Sequence, residues 1–235
     1  MTQFLRARQP DQISVRRDKL LEAAAELFDT EGPGGAGLNA IAKKAGFTKS
    51  NVYRYFESRE DVLLYLFLAE FDELSGAAET AILAQECGDS FAVADAFSRC
   101  FIQQPRCCHL MSIFSSVLEQ NVSEVKIASV KRHLATQSGI IVAALVDRLP
   151  GASPQDCGWA LAMTSALVAG MWPGVHPSPA AAKVLAKEEF AHMLLKPERD
   201  LTRSVAALLA SISRGPPLTR RPIDPGADRR HRDMP

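Results

Sequence analysis

No stretch of this 235-residue chain is apolar enough to cross a membrane. Its longest unbroken apolar run, residues 62–69, falls far short of the roughly twenty residues a spanning helix needs. The opening, MTQFLRARQPDQ, lacks the apolar core of a secretory leader, so the expected location is the cytoplasm. Cysteines are few: five, an odd number, at positions 87, 100, 107, 108 and 157 and in no framework spacing. They read as reduced thiols in a cytosol rather than as a disulfide scaffold. G-x-S-x-G, H-E-x-x-H, P-loop and dinucleotide fingerprints are all missing, so neither catalysis nor a cofactor is expected. No alternating strand pattern and no internal repeat stand out. Net charge is also missing, since 27 Lys and Arg balance 27 Asp and Glu, and the whole chain is no polycation.

The charge is unevenly spread, however. Residues 1–56 carry nine Lys/Arg against six Asp/Glu, net +3. Residues 57–214 carry thirteen against eighteen, net −5, and residues 215–235 carry five against three, net +2. A mildly basic head on an acidic body suits a head that meets a polyanion.

What is present is helical periodicity. Residues 1–13 are polar and read as a mobile arm. From Ser14, a plausible N-cap, an apolar stripe runs through Leu20, Leu21, Ala24, Leu27 and Phe28. EGPGGAG (31–37) ends that helix, and Leu38, Ile41, Ala42 and Ala45 form a short second one. Gly46 stops it. Thr48 can cap a third helix over 49–56, and Ser58 a long fourth over 59–84, with Asp61 in the capping-box place. Further helices are expected over 91–104, 107–120, 123–149, 156–171 and 199–213, with a partly helical stretch over 180–195. The three prolines of WPGVHPSPA break the chain. Residues 215–235 read as a disordered, solvated tail. Its arginines, Arg220, Arg221, Arg229, Arg230 and Arg232, are interspersed with Asp224, Asp228 and Asp233.

Two short helices joined by residues 46–48 make a helix-turn-helix. The second helix of such a unit enters the major groove by its N-terminal end. GFTKSNVYRYF (46–56) carries the residue types this needs. Val52 and Phe56, four apart, can anchor it. Lys49 and the amides near Thr48 can meet phosphates, as can the hydroxyls of Tyr53 and Tyr55. Asn51 suits adenine and Arg54 guanine. YRYF alone is equally explained as a core segment with tyrosines at its rim.

The wider stretch, LNAIAKKAGFTKSNVYRYFESREDVLLYLF (38–67), closely resembles the DNA-binding domain of the TetR family of bacterial transcriptional regulators. The matches are Ile41, Ala42, Ala45, Gly46, Thr48, Lys49, Val52, Tyr53, Tyr55, Phe56, Ser58, Leu63 and Leu64. LLEAAAELFDTEG matches the family's first helix, so the likeness spans roughly residues 14–70. Departures are Gly37, where a Thr or Ser cap is usual, Phe47 for a smaller Val, Ser50 for a small residue, and Arg59 for Lys. By the resemblance, Ser50 lies near base edges and Arg59 can reach a phosphate.

The resemblance implies an all-α protein with an N-terminal helix-turn-helix domain (14–57), a connecting helix (58–84) and a larger C-terminal domain (85–214). That domain would bind a small molecule and dimerise through its last helices. The expected function is a repressor released from a near-palindromic operator by a lipophilic effector. In 156–171, Trp159, Met163, Ala166 and Gly170 form one row and Ala162, Ala166 and Gly170 a small-residue row, fit for a homodimer bundle with 199–213. Candidate cavity residues are Phe97, Phe101, Met111, Phe114 and Leu118, with Ile140, Ile141 and Trp172. His109 and Gln137 are polar groups nearby. The plainer reading makes most of them ordinary core, although apolar walls with a few polar groups are what a lipophilic effector needs. RCCHL (106–110) raises a thiol- or metal-responsive alternative through Cys107 and Cys108. Adjacent helical residues point about 100° apart, and no C-x-x-C accompanies them, so no metal is expected. A DNA-binding helical protein without a ligand is the other alternative.

Overall fold

The computed structural model describes residues 10–120 and 122–213. Most of the expected arm, and the tail over 215–235 with its arginines, lie outside the described residues. Every regular element among the described residues is a helix.

Three helices form the head: α1 (Pro10–Glu31), α2 (Leu38–Lys44) and α3 (Lys49–Val52). α1 opens at Pro10 rather than at a Ser14 cap. Proline is favourable at a first helical position because its φ is preset and its missing N–H would have no partner there. Gly32, at φ 71°, turns the chain out of α1, a conformation that other residues reach only with strain.

The body begins with α4 (Arg59–Leu83). The Ser58 hydroxyl accepts from the Asp61 amide (3.1 Å), and Asp61 Oδ2 accepts from the Glu57 amide (3.2 Å). This is a capping box whose short carboxylate reaches the residue before the cap, and such a cap stabilises a helix by about 1 kcal/mol. α5 (Ser90–Ile102), α6 (Pro105–Ile113), a π-helical turn (Phe114–Leu118), α7 (Glu124–Arg148) and α8 (Pro154–Val175) follow. α8 runs through Pro173, past the expected stop near Met171. A proline this near a helix end removes one bond that the last turn can spare. Then come α9 (Pro179–Leu185), a 3₁₀ segment (Glu188–Met193) and α10 (Pro197–Ser213).

α4 holds the molecule together. It packs on α1 at the head and on α5, α6 and α7 in the body, while α10 packs on α5 and α8. One core runs through both parts: Leu20, Phe28, Ile41, Val52 and Phe56 belong to the same buried cluster as Leu74, Phe97, Leu145 and Leu209. α4 thus links the head to the body through one continuous core.

Candidate nucleic-acid interface and ligand cavities

α2 ends in a complete Schellman turn. The Phe47 amide donates to the Ala42 carbonyl (2.9 Å) and the Gly46 amide to Lys43 (3.3 Å), with Gly46 at φ 71°. The turn fixes the angle at which α3 leaves. Thr48 occupies the cap position of α3 in extended backbone, but its hydroxyl makes no cap hydrogen bond.

α3 is shorter than the periodicity suggests. After Val52 the chain tightens: the Arg54 amide donates to Asn51 (3.2 Å) and the Tyr55 amide to Val52 (2.9 Å). Val52 and Phe56 are fully buried, at 0% and 1% exposure. The tight turn brings both anchors into the core and frees Ser58 to start α4.

Those anchors leave the other residues outward. Thr48, Lys49, Ser50, Tyr53 and Arg54 are exposed, while Asn51, Tyr55 and Arg59 are half-buried. Lys49 and Arg54 pair with no carboxylate among the described residues, nor does exposed Lys43 on α2. The Lys49 ammonium lies 5.7 Å from the Tyr53 ring centroid. Tyr55 packs partly against the core, and Glu60 holds Arg59 at 2.8 Å. The face offers cations, an amide and hydroxyls with little internal commitment, which is what phosphate and base edges require.

A junction that sequence reading missed ties this face to the body. Lys126, near the start of α7, makes an ion pair with Asp61 (2.8 Å) and donates to the Tyr65 hydroxyl (2.6 Å). Burial opposes the Lys126 charge, but Asp61 and Tyr65 outweigh it and hold its pKa above the ordinary lysine value. The Arg17 guanidinium covers the Tyr65 ring at 4.0 Å, and Phe56 meets it edge-on. Head, α4 and α7 thus converge on one tyrosine. Contacts between residues sixty positions apart leave no local signal.

The body residues separate into four places. Phe97, Phe101, Leu118 and Ile141 are wholly enclosed in the core. Gln137 accepts from the Ser75 hydroxyl at 2.8 Å. Met111 and Phe114 line an apolar cavity of about 290 Å³ with Phe67, Phe71, Leu134 and three serines, Ser115, Ser138 and Ser165. The π-helical turn carries Phe114 and Ser115 into its wall, and π-bulges are frequent at functional sites. His109 and Trp172 line a separate cleft of about 590 Å³ between α1, α4, α6 and α8.

Cys107 and Cys108 are buried. Burial pushes the Cys108 thiol up to about 12, and raises Cys107 further with help from neighbouring Cys108. A protonated buried thiol is a poor nucleophile. No grouping of metal-ligand side chains occurs among the described residues. A thiol reagent at pH 7.5 is expected to label exposed Cys87 quickly and the other four only on unfolding. Rapid labelling of Cys107 or Cys108 would restore a redox role.

Along α8, Trp159, Met163 and Leu167, four apart, are 38–40% exposed. With Ala166, Gly170 and Leu208 of α10 they line an open apolar groove on the outer surface.

Two family models match in succession. Bacterial regulatory proteins of the tetR family match residues 20–66, and the tetracyclin repressor-like C-terminal domain matches 67–215. An HTH-type transcriptional regulator of Mycobacterium tuberculosis is 46% identical over 55 residues, covering 21% of this chain and 27% of that protein. A Bacillus subtilis HTH-type regulator is 44% identical over 50 residues, 21% of this chain and 26% of that one. The chain thus spans about a quarter of these relatives' length. Among solved structures, a transcriptional regulator from Rhodococcus sp. RHA1 superposes with a TM-score of 0.57 at 18% identity, over 85% of this chain and 95% of that one. The fatty acid degradation regulator FadR from Bacillus halodurans gives 0.52 at 18%, over 82% and 96%. At such identities the likeness is one of fold. No helix among the described residues is long and apolar enough to cross a membrane. With a helix-turn-helix head and a helical body both matched along their length, the chain belongs to the TetR family of bacterial transcriptional regulators.

Proposed function

We propose that the chain is a cytoplasmic repressor that binds a near-palindromic operator as a homodimer and leaves it when a small lipophilic effector enters the body. The observation that carries the DNA-reading part is the uncommitted surface made by exposed Lys49, Ser50 and Arg54 with half-buried Asn51. Lys49, Tyr53, Tyr55 and Arg59 hold phosphates, and Ser50, Asn51 and Arg54 face base edges. Thr48 stands at the entry of the same segment.

One recognition turn this short gives little affinity alone, so two must act together. The α8 and α10 groove supplies an apolar surface for a second copy, and a four-helix bundle across a two-fold axis would cover it. Phe67 and Phe71, in the wall of the apolar cavity, sit on α4, whose first turn carries the head. An effector that fits one α4 position better than another shifts the spacing of the two heads.

Repeated selection from a random-sequence duplex pool tests this reading. An inverted repeat should be enriched, with half-sites set by two-fold symmetry. Enrichment of a single half-site, or of no sequence, contradicts it.

A further inference from the structure

The cleft beside α1 is a cluster of carboxylates around Arg106, which donates to both oxygens of Asp29 (2.9 and 2.7 Å) and to Glu70 (2.5 Å). The apolar cavity between α4, α6, the π-helical turn, α7 and α8 has the opposite character. None of its lining residues carries a charge. Charged groups on the neighbouring turns of α7 are already engaged: Lys131 pairs with Glu119 (2.7 Å), and His133 Nε2 lies 2.6 Å from Asp72. The Lys131 ammonium also covers the Phe114 ring, 4.5 Å from its centroid. A ligand that brought a net charge into this cavity would lose hydration and meet no counter-charge in the lining.

The lining does offer hydroxyls. Ser138 on α7 and Ser165 on α8 are half-buried, and Ser115 on the π-helical turn is exposed. Helical Ser75, Ser112 and Ser204 each donate to a carbonyl three or four residues back. The three cavity serines do not: their hydroxyls bond to nothing among the described residues. The oxygens of Ser138 and Ser165 are not enclosed either. A serine hydroxyl both donates and accepts, so it serves an alcohol or a carbonyl equally. A pure hydrocarbon would displace water from these hydroxyls and return no hydrogen bond. The volume, about 290 Å³, is about twice that of a cavity that encloses benzene, which sets the size at one ring with a short chain.

We propose that the occupant of this cavity is a small uncharged molecule with one oxygen function: an alcohol or ketone carrying a single ring and a short chain. Its oxygen bonds to Ser138 or Ser165, and its body lies against half-buried Phe114, Leu134 and Ala169. This rests on the reading of the cavity as the effector site and narrows it. Carboxylates, fatty acids among them, and protonated amines are lipophilic enough in their bodies but are refused for their charge.

Calorimetric titration of the full chain at pH 7 with three probes of matched shape tests the class: 4-phenylbutanol, 4-phenylbutyrate and 4-phenylbutylamine. The alcohol should bind saturably, one per chain, and at least about tenfold more tightly than either ion, a modest share of what an unpaired charge loses on burial. The Ser138→Ala, Ser165→Ala double variant should fold normally, since neither hydroxyl is bonded, and should bind the alcohol about fivefold more weakly, the value of one neutral hydrogen bond. Ala169→Phe should fill the cavity and abolish alcohol binding; if it does not fold, the serine pair still decides. The titration contains no DNA. Alcohol binding that leaves operator affinity unchanged in a separate anisotropy assay therefore counts against the effector reading alone. Absence of saturable alcohol binding, an ion that binds within the tenfold margin, or an unchanged alcohol affinity in the serine double variant overturns the proposal.

Discussion

Met163→Glu is expected to leave the chain monomeric and to weaken its binding to a two-half-site duplex by about a hundredfold or more, the scale of lost bivalence. Met163 is 38% exposed midway along the α8 groove, between Trp159 and Leu167. On a lone subunit its side chain faces water, so a carboxylate there costs the fold little. In the proposed bundle the same position faces the matching helix of a second copy, and two carboxylates would be buried near the two-fold axis without partners. Burial of an unpaired charge is strongly unfavourable, and the subunits separate instead. Each head then reads its half-site alone. Sedimentation velocity reports the mass and fluorescence anisotropy the affinity, at one stated salt concentration. A Met163→Glu protein that stays dimeric removes α8 from the proposed interface.

Arg54→Ala is expected to weaken binding to the selected operator by about 1–3 kcal/mol at each half-site, the value of one bidentate base contact. Arg54 is exposed and pairs with no carboxylate among the described residues, so nothing in the free protein depends on it. The unfolding free energy should therefore stay within the range of a neutral surface change, about ±0.5 kcal/mol. Lys49→Ala makes an instructive contrast. If Lys49 holds a phosphate, its loss should weaken binding to every sequence alike and lower the salt dependence by about one unit per contact.

The head was legible in the sequence because its signals are local. Gly46 reads as a stop, Ser58 and Asp61 as a cap, and the order of matches from Ile41 to Leu64 names the motif. The stop and the cap each work within five residues of chain, and the matches are read position by position along one continuous segment. The exact length of α3 was not legible. Val52 and Phe56 are four apart in a regular helix and in a helical turn followed by a tighter one, so periodicity does not separate the two. Tertiary burial of both anchors chose the tighter path. The start of α1 was misplaced at Ser14 for a related reason. A proline and a serine are both good helix openers, and what precedes the apolar stripe carries no periodic signal.

The body was less legible. Phe97, Phe101, Met111 and Phe114 are alike in sequence. Only the rotation of α5 and α6 against α4 decides that the first two fill the core and the last two face a cavity. The charged cleft depended on residues from α1, α4 and α6 meeting across 77 positions, Asp29 to Arg106. Nothing in a single segment announces such a meeting. The α8 row of Trp159, Met163, Ala166 and Gly170 was visible because it recurs at helical spacing along one face, whereas the exposure of Leu167 beside it became visible only in the fold.

The central claim is that the segment from Gly46 to Phe56 reads DNA sequence through Asn51 and Arg54. The ratio of affinities for the selected operator and for a scrambled duplex of equal length, at fixed salt, tests it most directly. In the Asn51→Ala, Arg54→Ala double variant this ratio should collapse toward one while affinity for the scrambled duplex stays near that of the parent. A double variant that keeps the parent's ratio would contradict the claim.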